Sequence, residues 1–567
     1  MLQGLPATLD TLMGWTWDDA APFYAALAER PLDETNVVEW LNDWAALGAR
    51  IGEVYSRLYV GLTVNTADAE VKARFERYIE GVLPPARVAD QQLKEKLIAS
   101  GIQPERYEIA LRNMVAQAAL FREANVPLFT DEDRLRTEYD DVAGAQTVQW
   151  SGAERTVAQM KPVQFEADRA TREKAWRLVA ERQLADREAF NGLWQRFLPL
   201  RRQIAANAEL ADYREYQWRE KLRFDYSIED ALRFQEAIKQ TVVPAARRIY
   251  ERRRQQLGVE TLRPWDLQVD VANRPPLKPF ANADTLINTT GHIFHNVDAA
   301  LGGDFEVMVG EGLLDLDNRK NKAPGGYCTS FDFSERPFIF MNAVGIHDDV
   351  QTLLHEGGHA FHAFAVYTLP PFLQSQPPTE FCEVASMGME LLAMPYLASS
   401  KGGFYSEADA ARASIEHLEG LILFWPYMAV VDAFQHWAYT HADDAMNPAN
   451  CDAAWGKLWD EYMGGIDYSG LDDVKVTGWH RKLHIFQVPF YYIEYGIAQL
   501  GAVQVWGNAL KDQAQAVAAY RRALALGGTA GLPALFAAAG AKLAMDSETL
   551  GAAVALAESQ IEQLEAV

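Results

Sequence analysis

Cysteine is scarce: Cys328, Cys382 and Cys451 are the only three in a chain of 567 residues. An odd, scattered set cannot be a disulfide framework, and it points to a reducing compartment. Long apolar runs are absent as well. The longest, Leu421 to Val431, is too short to cross a bilayer and contains Pro426, so no membrane association is expected. The opening residues, MLQGLPATLDTLMGWTWDD, have neither a basic segment nor a continuous apolar stretch, so no targeting segment is expected there and the chain reads as soluble and cytoplasmic. Positive charge is in deficit. Lys and Arg number 53 against 78 Asp and Glu, a formal net charge of −25. Such a chain repels phosphate backbones. Its densest basic run, Arg247-Arg248 to Arg252-Arg253-Arg254, sits in mixed-charge helical sequence, so nucleic acid is not an expected partner. The charge favours solubility rather than any partner and leaves the oligomeric state open.

What is present is a large core. Hydrophobic residues make up 49% of the chain, aromatics 11% and charged residues 23%, which excludes global disorder. The length suggests roughly two to four lobes. Helical periodicity dominates. Val37, Leu41, Trp44, Leu47, Ile51, Val54 and Leu58 form one apolar stripe within 36–62. Similar patterns predict helices in 67–100, 103–125, 168–206, 228–257, 283–301, 406–442 and 547–564. Two regions break the rhythm. Residues 147–159 read as a hairpin turning near Ser151-Gly152. Phe305–Val309, Tyr327–Phe333 and Pro337–Asn342 read as strands of a small sheet, separated by turns at Pro324-Gly325-Gly326 and Ser334-Glu335. A boundary near 160–167 divides the chain into a helical amino-terminal lobe, 1–165, and a remainder, 166–567.

That remainder carries the chemistry. Residues 353–364 read Leu-Leu-His-Glu-Gly-Gly-His-Ala-Phe-His-Ala-Phe. On a helix, His355 and His359 share one face a turn apart, where both imidazoles can reach one zinc ion. Glu356 can serve as general base for a water, and Asp348 or Asp349 can cap the helix. Gly357 and Gly358 each cost about 1 kcal/mol against alanine within a helix. They imply a close approach by substrate or by a packed backbone. Catalytic zinc takes a third protein ligand. A histidine ten residues after the first would supply it, but that position is Ala365. A second helix, capped by Thr379, offers Glu380, Glu383 and Glu390. Glu380 suits the helix dipole, and spacing leaves Glu383 and Glu390 as equal candidates. His362 reads as a packed neighbour of the site and Cys382 as a small buried hydrophobe. A second constellation spans 479–495, where His484, Tyr491, Tyr492 and Tyr495 are candidate donors to an oxyanion.

These residues resemble a known family. HEGGH, followed 28 residues after its first histidine by Glu383 within FCEVAS, is similar to the thimet oligopeptidase-like metallopeptidases. KAPGGYC (Lys322 to Cys328) and HIFQVPFYYIEY (His484 to Tyr495) resemble the oligoendopeptidase F branch. The resemblance implies one zinc ion per chain held by His355, His359 and Glu383, with Ser386 completing the ligand motif. It implies Glu356 as general base, Glu390 behind the ligands, and His484, Tyr492 and Tyr495 as substrate-contacting residues. One departure stands out: Phe486 replaces a tyrosine common in the branch. The implied fold is mostly α, an elongated two-lobe helical molecule with a small β-sheet beside a deep channel. The implied substrates are short peptides, laid along a sheet edge. Two rival functions are a carboxypeptidase, with Arg481 or Lys482 holding the terminal carboxylate, and a non-catalytic peptide-binding protein.

Overall fold

The structure, a computed structural model, describes residues 2–374 and 377–566. Helices dominate, as the periodicity predicts. The segments 228–257 and 547–564 are the helices Ile228–Leu257 and Ser547–Leu564. The stripe of 36–62 belongs to Val37–Val64, and 406–442 forms Glu407–Thr440. Two long predicted helices are each divided. The 67–100 pattern splits into Ala69–Gly81 and Leu83–Ser100, where Pro84-Pro85 favour a new helix start. The 168–206 pattern splits into Arg169–Ala185 and Arg187–Asn207. Buried apolar side chains form one large cluster, a second drawn from Leu12 to Met114 together with Leu373, and a small third of Val148, Met160 and Ala175. The helix Val126–Gly144 sends Leu135 and Tyr139 into the large cluster.

The hairpin lies where the turn chemistry puts it. β1 (Thr147–Trp150) and β2 (Ala153–Thr156) pair antiparallel around Ser151 and Gly152, both at positive φ. The second sheet holds β3 (Leu314–Asp317), β4 (Tyr327–Phe331) and β5 (Arg336–Ala343) in the order β3-β5-β4. β5 is central, with β3 parallel and β4 antiparallel to it. The Lys322 ammonium, buried, donates to Asp315 Oδ1 and to the carbonyls of Asp315, Asp317 and Met341, tying β3 to β5.

Three local expectations need correction. Phe305–Val309 is not a strand but part of the helix Ala299–Gly310. Asp298 caps that helix by accepting from the amides of Ala300 and Leu301, and Phe305 packs edge-on to Phe294 at 5.0 Å. Cap and core contact outweigh the local β propensity, and the strand begins later, at Leu314. Asp348 and Asp349 do not occupy the cap position of the histidine helix. Ile346 does, and Asp349 reaches back from inside the helix to accept from the amides of Val344, Gly345 and Ile346 at 2.8, 2.7 and 3.0 Å. Thr379 is the first residue of its helix rather than a side-chain cap.

The histidine helix, His347–Val366, and the glutamate helix, Thr379–Ala393, cross in backbone contact. A Cβ on Gly358 would lie 2.4 Å from the carbonyl oxygen of Ala385 and 2.6 Å from Ser386 Cα. One on Gly357 would lie 2.4 Å from the Phe294 ring. The close approach that the two glycines imply is therefore to protein backbone and core. Gly358→Ala should separate the helices, lower stability by about 1–3 kcal/mol and weaken metal binding. Denaturant unfolding and metal titration will measure this, and unchanged values would show that the crossing has room to spare.

Candidate metal centre and active site

The two imidazoles project from one face of the histidine helix, their centroids 5.0 Å apart. Across the helix crossing stands Glu383, whose side chain is 1% exposed. Its Oε2 lies 3.4 Å from His355 Nε2 and 3.5 Å from His359 Nε2. Three donors about 2.0–2.1 Å from one tetrahedral zinc stand about 3.3–3.4 Å from each other. These separations match that requirement. Among the described residues, this trio is the one group of His, Cys, Asp or Glu arranged to hold a metal.

Each donor is held from behind. Glu390 Oε1 lies 2.7 Å from His355 Nδ1 and so orients the imidazole with its Nε2 toward Glu383. Glu383 Oε1 accepts from the Tyr491 hydroxyl at 2.5 Å, and Oε2 accepts from Ser386 Oγ at 3.0 Å. Burial alone would raise the Glu383 pKa, but His359 and His355 together hold it well below the usual carboxylate range. The two glutamates that spacing left equal are thus distinguished by geometry: Glu383 faces both imidazoles, and Glu390 supports one of them. Glu380 turns away, accepting from the Tyr226 hydroxyl at 2.6 Å.

Glu356 is 5% exposed, and its Oε2 is buried with no hydrogen-bond partner among the described residues. Burial raises its pKa against the pull of His355 and His359. A buried carboxylate oxygen left open beside three converging donors suits a water or a substrate proton.

His484 brings Nε2 to 3.3 Å from the Tyr495 hydroxyl, and the Tyr495 ring lies 6.5 Å from that of His355. Burial, reinforced by Lys482, holds the His484 pKa well below its ordinary value, so the ring is neutral. Tyr492 packs edge-on to His484 at 4.9 Å, while its hydroxyl accepts from Lys482 Nζ at 2.8 Å. His362 is packed against Phe381 and lies outside the trio. Cys382 is half-buried and free. Phe486 is fully buried and stacks on Tyr139 at 4.9 Å. Position 486 therefore faces the core, and the hydroxyl absent there is not withheld from the site.

One supporting residue escaped the sequence analysis. Arg201 is wholly buried, donating to Glu132, to the Tyr439 hydroxyl and to the carbonyls of Ile485 and Phe486, so it anchors the segment that carries His484. Its only signal was a cation among the apolar positions Phe197, Leu198 and Ile204 of one helix. Among the ligand supports, the Tyr491 hydroxyl is the simplest to remove. Tyr491→Phe should weaken metal affinity about 10–100-fold with the fold intact. Competition with a chromogenic chelator will measure it, and unchanged affinity would show that the hydroxyl does not orient Glu383.

Comparison with known proteins points the same way. The model of peptidase family M3 matches residues 164–553. Oligopeptidase PepF of Bacillus subtilis (strain 168) is 25% identical over 228 residues, 39% of this chain and 33% of that protein. The chromosomal oligoendopeptidase F of Lactococcus lactis subsp. cremoris is 25% identical over 150 residues, 25% of this chain and 23% of that protein. The aligned stretch thus spans a third or less of the length of these curated relatives. Among solved structures, PZ peptidase A with an inhibitor superposes with a TM-score of 0.89 at 25% identity, over 100% of this chain and 99% of that one. A structure provisionally named oligoendopeptidase F gives 0.90 at 26% identity, over 99% and 97%. The family match takes in most of the sequence, including the histidine helix, the glutamate helix and the His484–Tyr495 segment, and the chain belongs to peptidase family M3.

Proposed function

We propose that this chain is a zinc-dependent endopeptidase acting on short oligopeptides. The observation that carries this is Glu383 Oε2 standing nearly equidistant from two Nε2 atoms, beside a buried Glu356 carboxylate with an oxygen unpaired. Two imidazoles and one carboxylate are a donor set suited to zinc, with His355, His359 and Glu383 as its ligands. When bound, the ion would supply Lewis acidity and an acidified water.

The remaining work falls to the chain's own residues. Glu356 accepts the proton of the attacking water, holds it at Oε2 and delivers it to the leaving amine. Neutral His484 and the Tyr495 hydroxyl donate to the oxygen that gains charge as the carbonyl is attacked. Tyr492 supports the His484 ring and keeps its own hydroxyl on Lys482. β4 pairs with β5 on one side only, and its other edge can hold an extended peptide by backbone hydrogen bonds. The amino-terminal lobe, 1–165, contributes the helix Val37–Val64 to that path, where Thr63 Oγ1 meets the Tyr327 hydroxyl at 2.6 Å.

The carboxypeptidase alternative turns on Arg481 and Lys482. Arg481 donates to the Val474 carbonyl and Lys482 to the Tyr492 hydroxyl, and each keeps further N–H donors, so the two readings are separated by where peptides are cut. No helix among the described residues is long and apolar enough to cross a membrane. The three unpaired cysteines favour a cytoplasmic location.

Mass spectrometry of a mixture of short and long peptides with one folded protein tests this reading. Internal cuts confined to the shorter peptides, and abolished by a chelator, are expected. Glu356→Gln should retain the metal and lose about 10²–10⁴-fold in turnover. Trimming from one end would favour an exopeptidase, and near-normal turnover in the variant would overturn the assignment of the base.

A further inference from the structure

A cavity of about 400 Å³ adjoins the metal centre and shares walls with it. One wall is Glu390, whose Oε1 bonds His355. Another is Phe424, whose ring meets those of Tyr492 and Tyr495 at 5.6 and 6.2 Å. The volume lies toward the small end of ligand cavities, with room for one long side chain of a bound peptide.

Its lining has two characters. Met387, Leu391, Leu421, Phe424 and Ala502 supply apolar surface. Asp348, Glu390 and Glu416 supply carboxylates, and no Lys or Arg lines the space. The cations that reach these carboxylates come from outside the lining. Lys161 meets Asp348 at 3.4 Å, an exposed pair. Arg412 meets Glu416 at 2.9 Å but is shared with Asp270 at 3.0 Å. Glu390 Oε2 stands 3.5 Å from His417 Nε2, longer than a hydrogen bond and open to a better donor.

A second observation is independent of the carboxylates. Gln351, 7% exposed, lines the same cavity. Its Nε2 donates to His347 Nε2 at 3.2 Å, and the His347 Nδ1 meets the Tyr405 hydroxyl at 2.8 Å. That arrangement leaves Gln351 Oε1 as a buried acceptor with no donor among the described residues. Burial keeps both His347 and His417 neutral, so neither brings a positive charge into the space.

We propose that this cavity is a substrate subsite for a basic side chain of the peptide. The aliphatic stem lies against Met387, Leu421 and Phe424, and the cationic head donates to Gln351 Oε1, Glu390 and Glu416. A leucine there leaves the Gln351 acceptor unpaired, and a glutamate meets like charge. The proposal rests on the endopeptidase reading, and its test separates the two.

Quenched-fluorescence peptides identical except for Lys, Leu or Glu, moved through each position around the cut, are given to the full-length, zinc-loaded chain. At one position, kcat/KM for Lys should exceed that for Leu by about tenfold, and that for Glu by more. Glu416→Gln and Gln351→Leu should each bring the Lys-to-Leu ratio close to one. Two variants guard against one failing to fold. The Glu356→Gln chain should bind the uncleaved Lys peptide with the same preference, read as Kd without turnover. Equal cleavage of all three peptides at every position overturns the subsite and leaves the endopeptidase standing. A Lys preference that survives in both variants also overturns it. No cleavage of any peptide overturns the endopeptidase reading, and equal Kd values for the Lys and Leu peptides then overturn the subsite as well.

Discussion

A carboxylate with 1% of its side chain exposed cannot stay ionised without compensation, and much of the surrounding structure is arranged around the one at Glu383. Two imidazoles approach its Oε2, and Tyr491 and Ser386 donate to it. The two imidazoles come from one helix and the carboxylate from the other, so to meet, the helices must cross with their backbones in contact. That is why Gly358 packs against Ala385 and Ser386 with no room for a side chain. The glycines that weaken the histidine helix locally are the condition for the candidate metal site globally.

The same requirement runs outward. Tyr491 reaches Glu383 from the segment that also carries His484, so the placement of that segment sets both a ligand support and the candidate oxyanion donor. Phe486 plugs it into the core against Tyr139 and Trp479, and Arg201 grips the carbonyls of Ile485 and Phe486. The small sheet does comparable work on the other side of the site. Lys322 locks β3 to β5, and β4 carries its half-buried face to within reach of Glu356, whose Oε1 lies 3.4 Å from where a Cβ on Gly326 would stand.

How much of this the sequence discloses depends on the range of the interaction. The pairing of His355 with His359, the helices of 228–257 and 547–564, and the hairpin at Ser151-Gly152 follow from periodicity and turn chemistry within a few residues. The choice between Glu383 and Glu390 does not, because it turns on which face of one helix meets another, although family resemblance pointed to Glu383. Phe305–Val309 misled because its β-branched and aromatic residues satisfy strand propensity, while the Asp298 cap and the contact with Phe294 decide for helix. Tyr491 and Tyr492 are neighbours in sequence, and only the helix start at Tyr492 sends one hydroxyl to Glu383 and the other to Lys482.

Buried polar groups differ in how fully the fold engages them. Arg201 donates four hydrogen bonds and Lys322 donates to four acceptors, so each buried cation is fully engaged within the fold. Glu356 Oε2 and Gln351 Oε1 are just as deeply placed and have no partner among the described residues. An unmade bond at a buried acceptor costs about 1–3 kcal/mol; Asp432 and Glu494 also carry such an oxygen, so it is the place beside His355 that sets Glu356 and Gln351 apart. Both atoms stand within a turn of His355 on one helix, where a water, a leaving amine or a cationic side chain could complete them. On the proposed reading, Glu356 Oε2 would serve the peptide bond to be broken and Gln351 Oε1 the side chain that selects the peptide.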